Sequence, residues 1–304
     1  MSEKLGIDLW IKRDDLTGFA LGGNKGRKLE YLMARAVADG IEAIVTCGAA
    51  QSNFIRQLGA ACSVCGIECH AAIMQLPFDS SAEKIEVEAV EPGNGNILLD
   101  QILGINLHLF PDDDWEVLYD YAAKICAELQ AGGKKVMNIP VGGSNFLGAY
   151  AFTQAALELA EEFDTIVFAS SSGSTHVGLA TALHGSKTKV LGIACDPEPE
   201  IVHDFAALSE SLARETGMPK ITAEEFNVNL DFVGAGYGIA SEEGMIALKN
   251  LAQTEGIFLD PIYTAKAFAA LIHLATTGKL RGKVLFWHTG GIPALFGSIP
   301  NLNT

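Results

Sequence analysis

A lysine placed directly behind a pair of glycines can act as an amine nucleophile, and Leu21-Gly22-Gly23-Asn24-Lys25-Gly26-Arg27-Lys28-Leu29-Glu30 contains one. Gly22 and Gly23 let the backbone come close to something flat or anionic. Arg27, Lys28, Leu29 and Glu30 open a helical pattern, so Lys25 stands where a loop meets a helix start. A pocket that partly desolvates its amine would favour the neutral, nucleophilic form. The same string also reads as a basic, solvated helix start, because lysines are mostly exposed. The second feature is Ala169-Ser170-Ser171-Ser172-Gly173-Ser174-Thr175-His176-Val177-Gly178. Small residues let successive N–H groups converge, and hydroxyls and a helix dipole add to them, which suits a phosphate. No lysine follows as in a Walker loop, and the spacing is not G-x-G-x-x-G. His176 reads as packed near the helix start rather than as a catalytic group.

Cys47-Gly48-Ala49-Ala50-Gln51-Ser52-Asn53 repeats the order of strand, small turn and helix start. Its N–H donors suit an anion such as a carboxylate, although Ser52 is accounted for more simply as an N-cap. Asp260-Pro261-Ile262-Tyr263-Thr264 follows another apolar run, and Tyr263 reads equally as a core phenol. Tyr237, within Gly234-Ala235-Gly236-Tyr237-Gly238, is an aromatic in what the glycines mark as a flexible loop. A phosphate cradle with a lysine at a glycine turn, and no nucleotide fingerprint, points to pyridoxal phosphate. Its aldehyde needs an amine and its phosphate needs an anion site.

These residues must be held by strands and helices in alternation. Strands are expected at Leu9–Asp15, Ile41–Cys47, Ile67–Met74, Leu107–Phe110, Val136–Val141, Thr165–Ser170, Lys189–Cys195, Leu230–Val233, Ile257–Leu259 and Lys283–Trp287. Helices are expected at Arg27–Ala38, Gln51–Cys62, Ile97–Leu103, Trp115–Leu129, Ala149–Glu162, Thr175–Leu183, His203–Thr216, Glu242–Thr254 and Ala265–Thr276. A polar stretch, Glu91-Pro92-Gly93-Asn94-Gly95-Asn96, precedes the third of these. Continuous apolar strands alternating with helices predict an α/β fold of parallel sheet covered on both faces. Ligands of such sheets sit outside the carboxyl ends of the strands, where the glycine turns fall here.

The 304 residues, 49% of them hydrophobic, allow a large core and argue against disorder. A formal net charge of −16 argues against nucleic acid or an anionic membrane as partner. No apolar run approaches the roughly 20 residues of a membrane span, and Met1-Ser2-Glu3-Lys4 opens no apolar signal segment, so a cytoplasmic protein is expected. Cys62-x2-Cys65-x3-Cys69-His70 has no second ligand pair at finger-like spacing, and these cysteines read as small buried side chains, with no metal expected.

Taken together, Ile11-Lys12-Arg13-Asp14-Asp15, Gly22-Gly23-Asn24-Lys25-x-Arg27-Lys28-Leu29-Glu30 and Gln51-Ser52-Asn53 resemble the family of D-cysteine desulfhydrase and 1-aminocyclopropane-1-carboxylate deaminase. So do Pro140-x-Gly142-Gly143-Ser144-Asn145, Asp260-Pro261-x-Tyr263-Thr264-x-Lys266 and His288-Thr289-Gly290-Gly291. The motifs keep their order from about residue 9 to about residue 296. The resemblance implies a pyridoxal phosphate enzyme of the tryptophan synthase β-like fold, with two open, mainly parallel sheets and the cofactor between two domains. It implies a large domain of residues 1–27 and 142–304, a small one of 28–141, and a homodimer. Lys25 would hold the cofactor covalently and take the substrate Cα proton. Asn53 would hydrogen-bond the phenolic oxygen, and Gly173, Ser174, Thr175 and Lys28 would bind the phosphate. Ser52, with Gln51 and Asn53, would hold the substrate carboxylate. Tyr237 and Tyr263 would face the substrate, and Thr264 would meet the pyridine nitrogen. The deaminase branch carries a glutamate where Thr264 stands, so a hydroxyl there favours β-elimination, with D-cysteine as the expected substrate. Deaminase activity, elimination from another β-substituted alanine such as L-cysteate, and cofactor binding without turnover are the alternatives. Phe54 departs from the histidine usual in the desulfhydrase branch.

Overall fold

The computed structural model describes residues 1–74, 94–110 and 114–297. Its strands are β1 (Asp8–Arg13), β2 (Ala43–Ala49), β3 (Glu68–Met74), β4 (Asn106–Phe110), β5 (Val136–Asn138), β6 (Thr165–Ser170), β7 (Lys189–Ala194), β8 (Asn227–Asn229) and β9 (Lys283–His288). Its helices are α1 (Ser2–Leu5), α2 (Lys25–Ala38), α3 (Asn53–Cys65), α4 (Gly95–Ile102), α5 (Trp115–Ala131), α6 (Phe146–Ala156), α7 (Ser174–Ala182), α8 (Ile201–Thr216), α9 (Glu242–Glu255) and α10 (Thr264–Thr276). Two sheets form, in the orders β1-β9-β6-β7-β8 and β4-β3-β2-β5, and every strand pair is parallel. No helix among the described residues is long and apolar enough to cross a membrane.

Successive strand residues feed opposite cores, as a two-sided parallel sheet requires. In the small sheet, Ile44, Ala71 and Ile73 pack with Leu29, Leu32 and Met33 of α2 and Phe54, Ile55 and Leu58 of α3. Val45, Cys47, Ala72 and Met74 face the other way, onto Leu118, Ala122 and Ile125 of α5. In the large sheet, Val167, Ile193, Val284 and Phe286 meet α9 and α10, while Ile166, Phe168, Val190, Leu285 and Trp287 meet α6 and α7.

Two expected strands are corrected. Residues 230–233 form a turn, and β8 lies just before them at Asn227–Asn229. An edge strand has one neighbour and needs no apolar run, so its sequence carries little signal. Residues 257–259 pair with no strand, and Leu259 enters the core from a loop. The sixth helix starts earlier than expected and ends at Ala156, because Asn145 caps it by accepting from the Gly148 N–H at 3.0 Å. The polar stretch at 91–96 falls partly outside the described residues. Cys62 and Cys69 are buried, but Cys65, in the last turn of α3, is exposed, which corrects its reading as a buried side chain.

Helices α6 and α7 pack closely because Gly178 faces α6. A Cβ there would lie 2.2 Å from the Ala149 carbonyl oxygen and 2.4 Å from the Phe152 Cβ. Gly178→Ala should therefore destabilise the protein by about 2 kcal/mol, despite alanine's better helix propensity. A urea midpoint that falls with an unchanged slope would agree; an unchanged or raised midpoint would contradict it.

Candidate active site

The carboxyl ends of β1, β2, β6 and β9 face one cavity between the sheets, and the turns after them carry its lining. The β1 end supplies Lys25. Asp14, 1% exposed, accepts from Arg27 Nε and Nη2 at 2.9 and 2.8 Å and from Trp287 Nε1 at 2.8 Å. Its backbone carbonyl accepts from the Gly23 N–H at 2.8 Å. This anchors the turn ahead of α2 at its base. Gly22 is required there: at φ 73° a Cβ would fall 2.0 Å from the Asp15 carbonyl oxygen.

Lys25 is the first residue of α2, and Lys28 lies one turn on. Both line the cavity. Burial lowers the Lys25 amine from its ordinary 10.5 to about 8, and the positive end of the helix works in the same direction. Lys28 is held well below its ordinary value, by burial first and then by the charge on Lys25. Lys28 Nζ donates to the Gly142 carbonyl at 3.0 Å, and among the described residues no carboxylate is hydrogen-bonded to either amine.

Opposite them, residues 170–175 wrap the start of α7. Gly173 takes φ 98°, where a Cβ would also meet the Phe205 ring at 2.6 Å. Ser170, Ser171, Ser172, Gly173 and Thr175 line the cavity. Ser174 does not. It lies behind the cradle, with its hydroxyl 3.1 Å from that of Ser144, which in turn donates to Ser172 at 2.8 Å. Thr175 accepts from Asn24 Nδ2 at 3.1 Å, tying the cradle to the Lys25 turn. His176 is packed at the helix start as expected, with Nδ1 3.0 Å from the Ser170 hydroxyl and burial pushing it down to about 3.

Ser52 both caps α3, accepting from the Ile55 N–H at 3.3 Å, and lines the cavity with Asn53 and Phe54. Gln51 is turned away: its Nε2 donates to the Asn94 carbonyl at 3.1 Å and its Oε1 accepts from the Asn96 N–H at 2.8 Å. Tyr237 and Tyr263 line the far wall, their hydroxyls hydrogen-bonded to each other and their ionisation pushed up by burial. Tyr237 is 8% exposed, not the loose loop residue its glycines suggest, because buried Lys266 donates to the Gly236 carbonyl at 2.8 Å.

Thr264 is not brought to the cavity. Its hydroxyl donates to Asp260 Oδ2 at 2.6 Å and accepts from the Asp260 N–H at 2.8 Å. Asp260 thereby anchors the turn ahead of α10, accepting also from the N–H groups of Ile262, Tyr263 and Thr264. Thr289 does line the cavity, in the turn that His288 holds by accepting from the Gly290 N–H at 3.2 Å. Thr289 and Asn24 are site residues to which the sequence assigns no role, and Ser170–Ser172 line the cavity as part of the cradle stretch.

The donor set fits pyridoxal phosphate. A buried amine at Lys28 and a half-buried one at Lys25, with no carboxylate bonded to either among the described residues, call for an anion, and the cradle offers hydroxyls and a helix start across from them. Lys28, Ser171, Ser172, Gly173 and Thr175 would hold the phosphate, and Lys25 the aldehyde carbon.

Comparison with known proteins agrees. The family described as pyridoxal-phosphate dependent enzyme matches residues 1–290. A D-cysteine desulfhydrase of Yersinia enterocolitica is 38% identical over 99% of this chain and 92% of its own length. A solved structure described as an ACC deaminase homologue superposes with a TM-score of 0.88, at 33% identity over 97% of this chain and 88% of that one. Threonine deaminase isoform 2 of Solanum lycopersicum, 15% identical over 98% of this chain and 77% of that one with a TM-score of 0.59, shares the fold.

The lowered Lys25 amine has a direct readout. Acetic anhydride labelling of the cofactor-free protein should find Lys25 reactivity rising with pH and levelling off above about 8. A midpoint near 10.5 would contradict a desolvated amine. This chain belongs to the family of pyridoxal-phosphate dependent enzymes.

Proposed function

We propose that the chain is a β-elimination lyase that converts D-cysteine to pyruvate, sulfide and ammonia. The observation that carries this reading is the Lys25 amine, lowered to about 8 and facing a hydroxyl-lined anion cradle across one cavity. The D-cysteine desulfhydrase relatives support the choice of reaction. When bound, the cofactor supplies an aldehyde for the substrate amino group and a conjugated ring that draws electrons from Cα.

The chain's own residues do the rest. Ser52, at the start of α3, presents a hydroxyl and a helix N-terminus to the substrate carboxylate. Lys25, its amine lowered to about 8 and so half neutral near that pH, takes the Cα proton. The carbon–sulfur bond then breaks, sulfur leaves with the electron pair, and the unsaturated amine hydrolyses to pyruvate and ammonia. Tyr237 and Tyr263 keep their protons at neutral pH and act as donors, not bases. Phe54 gives the cavity an apolar wall where a desulfhydrase relative would present a histidine.

Among the described residues that line the cavity none is a carboxylate, which favours elimination over the deaminase reaction. The resemblance also supports a homodimer, which sedimentation of the purified protein would check. Purified protein loaded with pyridoxal phosphate should release pyruvate and sulfide from D-cysteine. Lys25→Ala should lower that turnover by about 10²–10⁴-fold. Release of 2-oxobutanoate from 1-aminocyclopropane-1-carboxylate with none of pyruvate from D-cysteine would assign the deaminase reaction instead.

A further inference from the structure

Arg56 is 1% exposed, in a run of α3 whose residues 54–59 are all buried. A guanidinium has five N–H donors and no acceptor, so each atom it bonds must accept. Nε donates to the Ala20 carbonyl at 3.0 Å and Nη2 to the Gly22 carbonyl at 3.2 Å. Nη1 donates to Asn53 Oδ1 at 2.8 Å and to Asn96 Oδ1. Asp100, the buried carboxyl whose charge bears on Arg56, has neither oxygen hydrogen-bonded among the described residues. Four neutral oxygens therefore take four of the guanidinium's five donors.

This fixes the direction of each amide. Asn53 Oδ1 also accepts from Asn96 Nδ2 at 3.0 Å, which uses both its lone pairs. Its NH2 is then the end left for the cavity that Asn53 lines. A flipped Asn53 would set N–H against N–H at Arg56. Asn96 is oriented the same way: with Oδ1 on Arg56, its Nδ2 also donates to the Gln51 carbonyl at 2.8 Å. At its other end Arg56 holds the turn ahead of Lys25, where Ala20 and Leu21 take φ 44° and 67°, a region non-glycine residues seldom occupy.

We propose that Arg56 is a positioning residue: it holds the Asn53 carboxamide with its NH2 donating towards the phenolic oxygen of the cofactor, and it clamps the 20–22 turn so that this donor and the Lys25 amine keep one spacing. The proposal rests on the reading of the cavity as a pyridoxal phosphate site.

The test is the pH titration of visible absorbance in the cofactor-loaded protein. A donor to the phenolic oxygen stabilises its anion and lowers the titration midpoint. Asn53→Ala should raise the midpoint by about one pH unit, the size of one lost hydrogen bond to a charged oxygen. Arg56→Lys keeps the charge but not the fork, and should raise the midpoint by at least half as much. The double variant should go no further than Asn53→Ala alone. Asn96→Leu, which leaves Arg56 intact but frees one lone pair of Asn53, reads the same chain should Arg56→Lys not fold, and should also raise the midpoint. A midpoint that moves in Asn53→Ala but in neither other variant, shifts that simply add, or no shift in Asn53→Ala overturns the role of Arg56. A wild-type protein with no visible band overturns instead the reading of the cavity.

Discussion

Two lysine amines one helical turn apart, Lys28 buried and Lys25 half-buried, neither bonded to a carboxylate among the described residues, are the constraint around which the cavity is built. Burying even one such charge unpaired costs several kcal/mol, and a second of the same sign adds to it. The protein does not offset this with internal acid. It lowers both amines' affinity for protons and sets opposite them a wall of hydroxyls and backbone N–H groups. That combination is wasteful in an ordinary core. It makes sense where an external dianion and an aldehyde complete the site.

The acids near the cavity are kept out of the chemistry by being saturated. Asp14 gives its carboxylate to Arg27 and Trp287, and Asp260 gives its own to three N–H groups and a threonine hydroxyl. Each anchors a turn that carries a lining residue: Lys25 in the first case, Tyr263 in the second. Arg56 does the equivalent with positive charge, spending its donors on neutral oxygens between the 20–22 turn, α3 and α4. Buried charges thus set geometry, while neutral or proton-poor groups face the ligand.

Much of this was legible in the sequence, because the signals are local. A glycine pair before Lys25, small residues after β6 and continuous apolar strands are each properties of a few adjacent residues. The parallel sheets and the opposition of Lys25 to the cradle followed from them. What was not legible depends on where side chains end. Thr264 sits in a turn whose aspartate captures its hydroxyl, so Thr289, far along the chain, joins Thr175 in lining the cavity instead. Ser174 and Gln51 lie next to lining residues but point behind them. Tyr237 looked loose because glycines surround it, and only the distant Lys266 reveals that its loop is held. Arg56 does leave a trace, as the single charged residue of α3. Its partners, at positions 20, 22, 53 and 96, are non-local and could not be paired from the sequence.

The central claim concerns one covalent bond. Borohydride reduction of the protein incubated with pyridoxal phosphate, followed by peptide mapping, locates the amine that carries the cofactor. The label is expected on the peptide holding Lys25, with Lys28 on the same peptide unmodified. Label on Lys28, on Lys266 or on no lysine would contradict the account.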